Sequence, residues 1–185
     1  MKKVFLVTGI AIMVIVLFVL LWFLFVVTGV FSIFMPNPPK PEITYGEFPI
    51  SITYEVNGEV KIIEDTVICE FDGFESRGTA GKFRVWKAYL KSGNERLTLL
   101  RVNNGESAFE VCLSYGLPDY YMGDLRYQNK EEYEKKRDSN EYLNYIQWEN
   151  GIQTGEAISK EEVWEKYKLK IIDVQYSPPI INSFK

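Results

Sequence analysis

The chain opens on an unbroken apolar run and then changes period. From Val4 to Met35 no residue is charged, and the only hydroxyl side chains are Thr8, Thr28 and Ser32. A helix needs ~20 predominantly apolar residues to cross a hydrocarbon core of ~30 Å. Val4–Trp22 alone covers roughly 28 Å at ~1.5 Å per residue, which sets the indole near an interface. The run therefore predicts a transmembrane signal anchor within residues 1–35, touching the lipid bilayer through residues 4–30. A cleaved signal peptide has a shorter apolar region and ends on small residues. Here the run is long and its end, Val30-Phe31-Ser32-Ile33-Phe34-Met35, is bulky, which favours an uncleaved anchor. Lys2 and Lys3 precede the span, and cations beside a span stay on the cytoplasmic side. The expectation is a single-pass protein of the cell membrane with its N-terminus inside and its C-terminal domain outside.

Pro36-Asn37-Pro38-Pro39-Lys40-Pro41 follows. Each ring fixes φ and disfavours helix in the residue before it, so residues 36–46 read as a stiff stalk. At ~3.1 Å per residue the proline run would hold a domain roughly 19 Å from the membrane. Residues 47–185 then read as one β-rich extracytoplasmic domain. Phe48, Ile50, Ile52, Tyr54 and Val56 alternate with polar or small positions, the pattern of a half-buried strand. Asn57-Gly58 predicts a type I′ hairpin turn, because both central residues need φ > 0. Return strands are predicted at 60–71, 82–90, 97–102 and 108–115. They are separated by a glycine-containing loop over 72–81, by Ser92-Gly93-Asn94 and by Asn103-Asn104-Gly105. Five strands with short connections predict an antiparallel meander.

The last third is mixed. Residues 128–141 are charged and nearly free of aliphatic side chains, which predicts a solvated loop or a marginal helix. Residues 142–148 read as a strand closed by Glu149-Asn150-Gly151. Ser159-Lys160-Glu161-Glu162 is a capping box opening a short helix whose apolar face is Val163, Trp164 and Tyr167. Residues 169–176 form a last strand before Pro178-Pro179. The fold class is thus an N-terminal transmembrane helix followed by a mainly antiparallel β (α+β) domain with one short C-terminal helix.

Composition narrows the chemistry. The 185 residues contain no histidine, which removes every imidazole base, shuttle and metal ligand. All 25 acidic residues, and all but two of the 21 basic ones, lie beyond residue 35, so the outer part is more acidic than the overall charge of -4. That balance argues against nucleic acid as a partner, since such binding rests on clustered cations. No phosphate-cradling glycine loop and no G-x-S-x-G elbow occurs. The loop from Asp119 to Asp124 lacks the spacing of a calcium loop. No cofactor, no metal and no catalytic residue is expected.

Two groups of residues stand out as candidates. Cys69 and Cys112 are the only cysteines, and in an oxidising compartment they are a candidate disulfide. A bridge across so long a loop would contribute ~4 kcal/mol in the chain-entropy model. The alternative is that each is a small buried apolar residue. Cys69 shares a strand face with Val67 and Phe71, as a core residue would, whereas Cys112 shares one with Glu110 and Ser114. Tyr115, Tyr120, Tyr121 and Tyr127 cluster around Gly116, Pro118 and Gly123. Tyr120, Tyr121 and Met122 are the candidate contact surface, because tyrosine offers large area at little entropic cost. The alternative is that these rings cover the open end of the sheet.

The stretches ITYGEFPI (43–50), ICEFDGF (68–74), KSGNERLTLL (91–100) and YYMGD (120–124), with the anchor and the PNPPKPEI stalk, resemble small single-pass membrane-anchored hypothetical proteins of Gram-positive bacteria. The resemblance implies location and architecture and no activity. It also implies a reduced prospect of a disulfide, exported proteins of such cells being poor in cysteine. Three functions compete. The first is a membrane-anchored extracytoplasmic binding or interaction module without catalysis, whose partner is a protein or a cell-envelope component. The second is an accessory subunit of a larger membrane complex, and the third a small anchored hydrolase using carboxylates.

Overall fold

The computed structural model describes residues 2–27, 34–77, 80–103, 107–125, 129–138, 143–149 and 152–185. The chain forms two compact units, residues 1–40 with 72–85, and residues 41–71 with 86–185.

In the first unit, α1 (Lys2–Val27) is a 26-residue helix. Every side chain described from Gly9 to Leu24 is exposed, because the helix is apolar on all sides and has no partner face to bury. Side chains are described for 9–25 of this helix, and over the residues so described no helix is long and apolar enough to cross a membrane. The proline segment is not a free spacer. Arg84 Nη1 donates to the Pro39 carbonyl at 3.0 Å, so the segment is held by the far end of a hairpin in the same unit.

The second unit is mainly antiparallel β. Its strands are β1 (Tyr45–Val56), β2 (Glu59–Ser76), β3 (Lys82–Leu90), β4 (Leu97–Asn103), β5 (Ser107–Leu113), β6 (Leu143–Glu149), β7 (Ile152–Ala157) and β8 (Leu169–Tyr176). The distal part of the β2–β3 hairpin belongs to the first unit. Asn57 and Gly58 both adopt positive φ, 52° and 84°, and pair Val56 with Glu59 across the predicted turn. The turns expected at Asn104-Gly105 and Asn150-Gly151 fall outside the described residues. Strand β2 continues through Asp72-Gly73 to Ser76, where the glycines suggested a loop. Strand β7 follows β6 immediately; it is exposed on both faces and carries no alternation that could have announced it.

The single meander is corrected to two four-stranded sheets, ordered β3-β2-β1-β8 and β4-β5-β6-β7. The physical reason is burial: strands with one apolar face need a second layer, and splitting between β3 and β4 supplies it. Phe48, Ile50, Ile52 and Val67 from one sheet and Leu97, Leu99, Val111 and Leu113 from the other share one core. Besides the C-terminal helix α4 (Lys160–Tyr167), two further short helices occur, α2 (Pro118–Tyr121) and α3 (Lys130–Asp138). The capping box at α4 is complete, with Ser159 Oγ accepting from the Glu162 amide at 3.2 Å.

Candidate functional site

The residues singled out as a contact surface are core. Tyr120, Tyr121 and Met122 are 2%, 1% and 0% exposed. Pro118 starts a single helical turn that points both rings inward, where Tyr121 meets Phe48 at 4.7 Å between centroids and Tyr120 meets Tyr133 at 4.8 Å. Their hydroxyls are satisfied there: Tyr121 donates to the Tyr115 carbonyl at 2.6 Å and Tyr120 to Glu134 at 2.7 Å. Burial, reinforced by the bond to Glu134, pushes the Tyr120 hydroxyl up to about 12. A tyrosine whose one polar atom has a partner packs like phenylalanine, which is why the loop aromatics turn inward. Tyr127 lies outside the described residues.

The disulfide is also corrected. Cys69 and Cys112 are both free and both buried, in strands of different sheets. Burial pushes their thiols up to about 12 and about 11, so at neutral pH neither is a nucleophile.

A different cluster combines burial, charge and open space. On the outer face of the second sheet, Glu110 is only 3% exposed although its neighbour Val111 points into the core. Its carboxylate pairs with Arg101 and accepts from Thr98 Oγ1 at 3.3 Å and from the Cys112 thiol at 3.6 Å. The local cause is an irregularity in β4. The register slips between Thr98 and Leu100, so that Thr98 faces Cys112 while Arg101 faces Glu110. Without that bulge, residues three apart would point to opposite faces. With it, hydroxyl and guanidinium converge on one carboxylate.

Two adjoining cavities open on this cluster. One, of about 500 Å³, has Glu110, Arg101, Thr98 and Asp65 in its walls. The other, of about 630 Å³, has Cys112, Asn144, Ile146 and Gln153. Glu95 and Arg96 border both. The connection that carries them is anchored at its start, where Ser92 donates to Asp65 through its amide at 3.2 Å and its hydroxyl at 2.5 Å. The result is a polar trough with both signs of charge, whose most buried charge is held in place from three sides. Such concavities with a few converging polar groups are the usual form of ligand sites.

Sequence reasoning missed this site because Glu110 on an alternating strand reads as an ordinary solvent-facing residue. The proximity of Thr98 and Arg101 depends on a bulge that no residue type announces. Exposed tyrosines do exist elsewhere: Tyr45 donates to Glu47 at 2.6 Å and Tyr89 to Glu70 at 2.9 Å, with Lys91 on Glu47 at 2.7 Å. Both rings are exposed, as those of the Tyr120 segment are not. Among the described residues no group of three or more cysteines and carboxylates could hold a metal ion. Comparison with protein-family models, curated proteins and solved structures finds no match to this chain.

Proposed function

We propose that the chain is a single-pass, membrane-anchored module whose extracytoplasmic β domain binds a polar component of the cell envelope in the Glu110 trough, without catalysis. The observation that carries the reading is the buried, three-fold-engaged Glu110 beside two open cavities. A carboxylate engaged by Arg101, Thr98 and Cys112 holds its neighbours in place. The protonated thiols and the absence of histidine support binding over nucleophilic chemistry.

The anchor is supported by length and composition. At ~1.5 Å per residue a 26-residue helix extends about 39 Å, more than the ~30 Å of a hydrocarbon core. Two lysines at its start and no charge through Met35 favour an N-terminus inside. Resemblance to anchored proteins of Gram-positive bacteria is consistent with that placement.

Two measurements test the proposal together. Protease added to intact cells should remove the β domain, and full protection would refute the topology. Full-length protein in detergent micelles should co-sediment with purified cell-wall sacculi. Asn144→Trp, which places an indole at an exposed position in the cavity wall, should abolish that association while leaving the melting temperature unchanged. Equal sedimentation of wild type and variant would remove the trough from the binding function.

A further inference from the structure

We propose that the outer face of the first sheet carries a cation site, in which Tyr45 and Tyr89 hold a small soluble quaternary ammonium, of the choline type, against the charge of Glu70. The site lies on the other sheet from the Glu110 trough and does not depend on it.

Strand β2 lies between β1 and β3, and in the β1–β2 register Tyr45 faces Glu70 while Glu47 faces Ile68. Phe48, Val67 and Cys69 take the core side, so by strand alternation these four residues look outward. Three bonds tie the face together. Tyr45 Oη donates to Glu47 at 2.6 Å, and from β3 Tyr89 Oη donates to Glu70 at 2.9 Å. Lys91, the residue after β3, pairs with Glu47 at 2.7 Å. That ion pair reaches across β2 at the level of Ile68, which is only 8% exposed although it stands outside the core. All six residues belong to the second unit. The two rings are thus fixed by their hydroxyls yet remain 46% and 43% exposed.

The two carboxylates differ in what neutralises them. Glu47 has Lys91, which together with the Tyr45 hydroxyl holds its carboxyl below the usual carboxylate range. Among the described residues no cation pairs with Glu70, whose bonded partner is the neutral Tyr89 hydroxyl. Both phenols feel this anionic face. The bond to Glu47 first, then desolvation and the neighbouring Glu47, Tyr89 and Glu70, push Tyr45 up to about 12. The bond to Glu70 is the largest cause raising Tyr89. A cation resting here meets the negative faces of two rings and an uncompensated carboxylate together.

The acceptors that remain select the kind of cation. Both Glu47 oxygens are engaged, one by Tyr45 and one by Lys91, and Tyr89 takes one oxygen of Glu70. A primary ammonium brings three N–H donors, which would leave water and find few acceptors. A divalent metal needs several oxygen ligands. A quaternary ammonium brings no donor at all, and exposed aromatic faces beside a negative charge are what it binds.

The test titrates full-length protein in deuterated maltoside micelles with choline, and reads binding as saturation transfer from protein to the choline methyl protons. Choline should bind at least about fivefold more tightly than neohexyl alcohol, its uncharged isostere, and than ethanolamine, its primary-amine analogue. Tyr45→Leu with Tyr89→Leu should abolish the transfer. Glu70→Gln, which keeps an acceptor for Tyr89, should weaken binding about fivefold. Asn144→Trp in the trough should leave it unchanged. No transfer from free choline, or equal binding of choline and neohexyl alcohol, would overturn the site on the wild-type chain alone, however the variants fold. Ethanolamine binding as tightly as choline would overturn the quaternary assignment. Transfer that survives in the double leucine variant at the wild-type melting temperature would remove the tyrosines from the site.

Discussion

The tyrosine cluster under α2 and the carboxylate on the outer face of the second sheet both keep polar atoms out of water, by different means. Tyr121 finishes its single donor bond on a backbone carbonyl six residues away, and Leu117 donates its amide to the Tyr133 hydroxyl at 2.8 Å. Tyr120, whose hydroxyl ends on Glu134, is closed in the same way, so the rings behave as core. Glu110 instead relies on Arg101, which is 69% exposed, and on a bulged strand that brings Thr98 alongside. One cluster is closed to everything but its own chain. The other has a partner that water, or a ligand, can reach. The residue type that looked like a surface is structural, and the residue that looked like surface charge forms the site.

The comparison breaks most visibly at Tyr121. Tyr121→Ala removes a fully buried ring, and should cost ~3–5 kcal/mol and lower the melting temperature by more than about 10 °C. Tyr121→Phe, which loses only the hydroxyl, should cost about 1 kcal/mol. An alanine variant that melts within a degree or two of wild type would return this segment to the surface.

The carboxylate cluster should show a smaller and lopsided effect. Arg101→Ala leaves a buried carboxylate with only Thr98 and Cys112, and should cost about 2 kcal/mol even though it deletes an exposed side chain. Glu110→Leu leaves Arg101 to be hydrated, and should cost less than about 1 kcal/mol. Chemical denaturation of the two variants distinguishes them. If Glu110→Leu is the more damaging, Glu110 is held by packing and the ionic account of the trough falls.

Legibility along the chain tracks how local the cause is. The Asn57-Gly58 turn, the Ser159 capping box and the alternating strands at 48–56, 82–90 and 97–102 are written in adjacent residues, and the structure has them there. The partition into two sheets is not so written, because it is set by which apolar faces meet. Strand β7 owes its existence to pairing with β6, residue by residue from Asn144 with Ala157 to Glu149 with Ile152. The inward turn of Tyr120 and Tyr121 depends on Phe48 and Tyr133, which lie far off in sequence. The Glu110 trough required all of these at once: a bulge in β4, a paired strand on each side, and the connection bearing Glu95 and Arg96.

The thiols sharpen the same contrast with the smallest effect. Cys69 lies in the core, and Cys112 lies beside Glu110 in a cavity wall. Burial raises both above the ordinary value near 9, to about 12 and about 11. The unfolded chain therefore loses these protons first as pH rises. Their contribution to stability is complete below about 9 and declines from there, through about 11 for Cys112 and about 12 for Cys69. In the folded protein the thiol with the smaller upward shift carries more thiolate, and Cys112 borders a cavity. Iodoacetamide at mildly alkaline pH, read by mass spectrometry of the native protein, should thus modify Cys112 before Cys69. Labelling of Cys69 first would mean that the core opens more readily than the trough admits a small reagent. In that case the trough would have to be filled by the protein's own side chains in solution, and the distinction between a closed tyrosine cluster and an open carboxylate cluster would be lost.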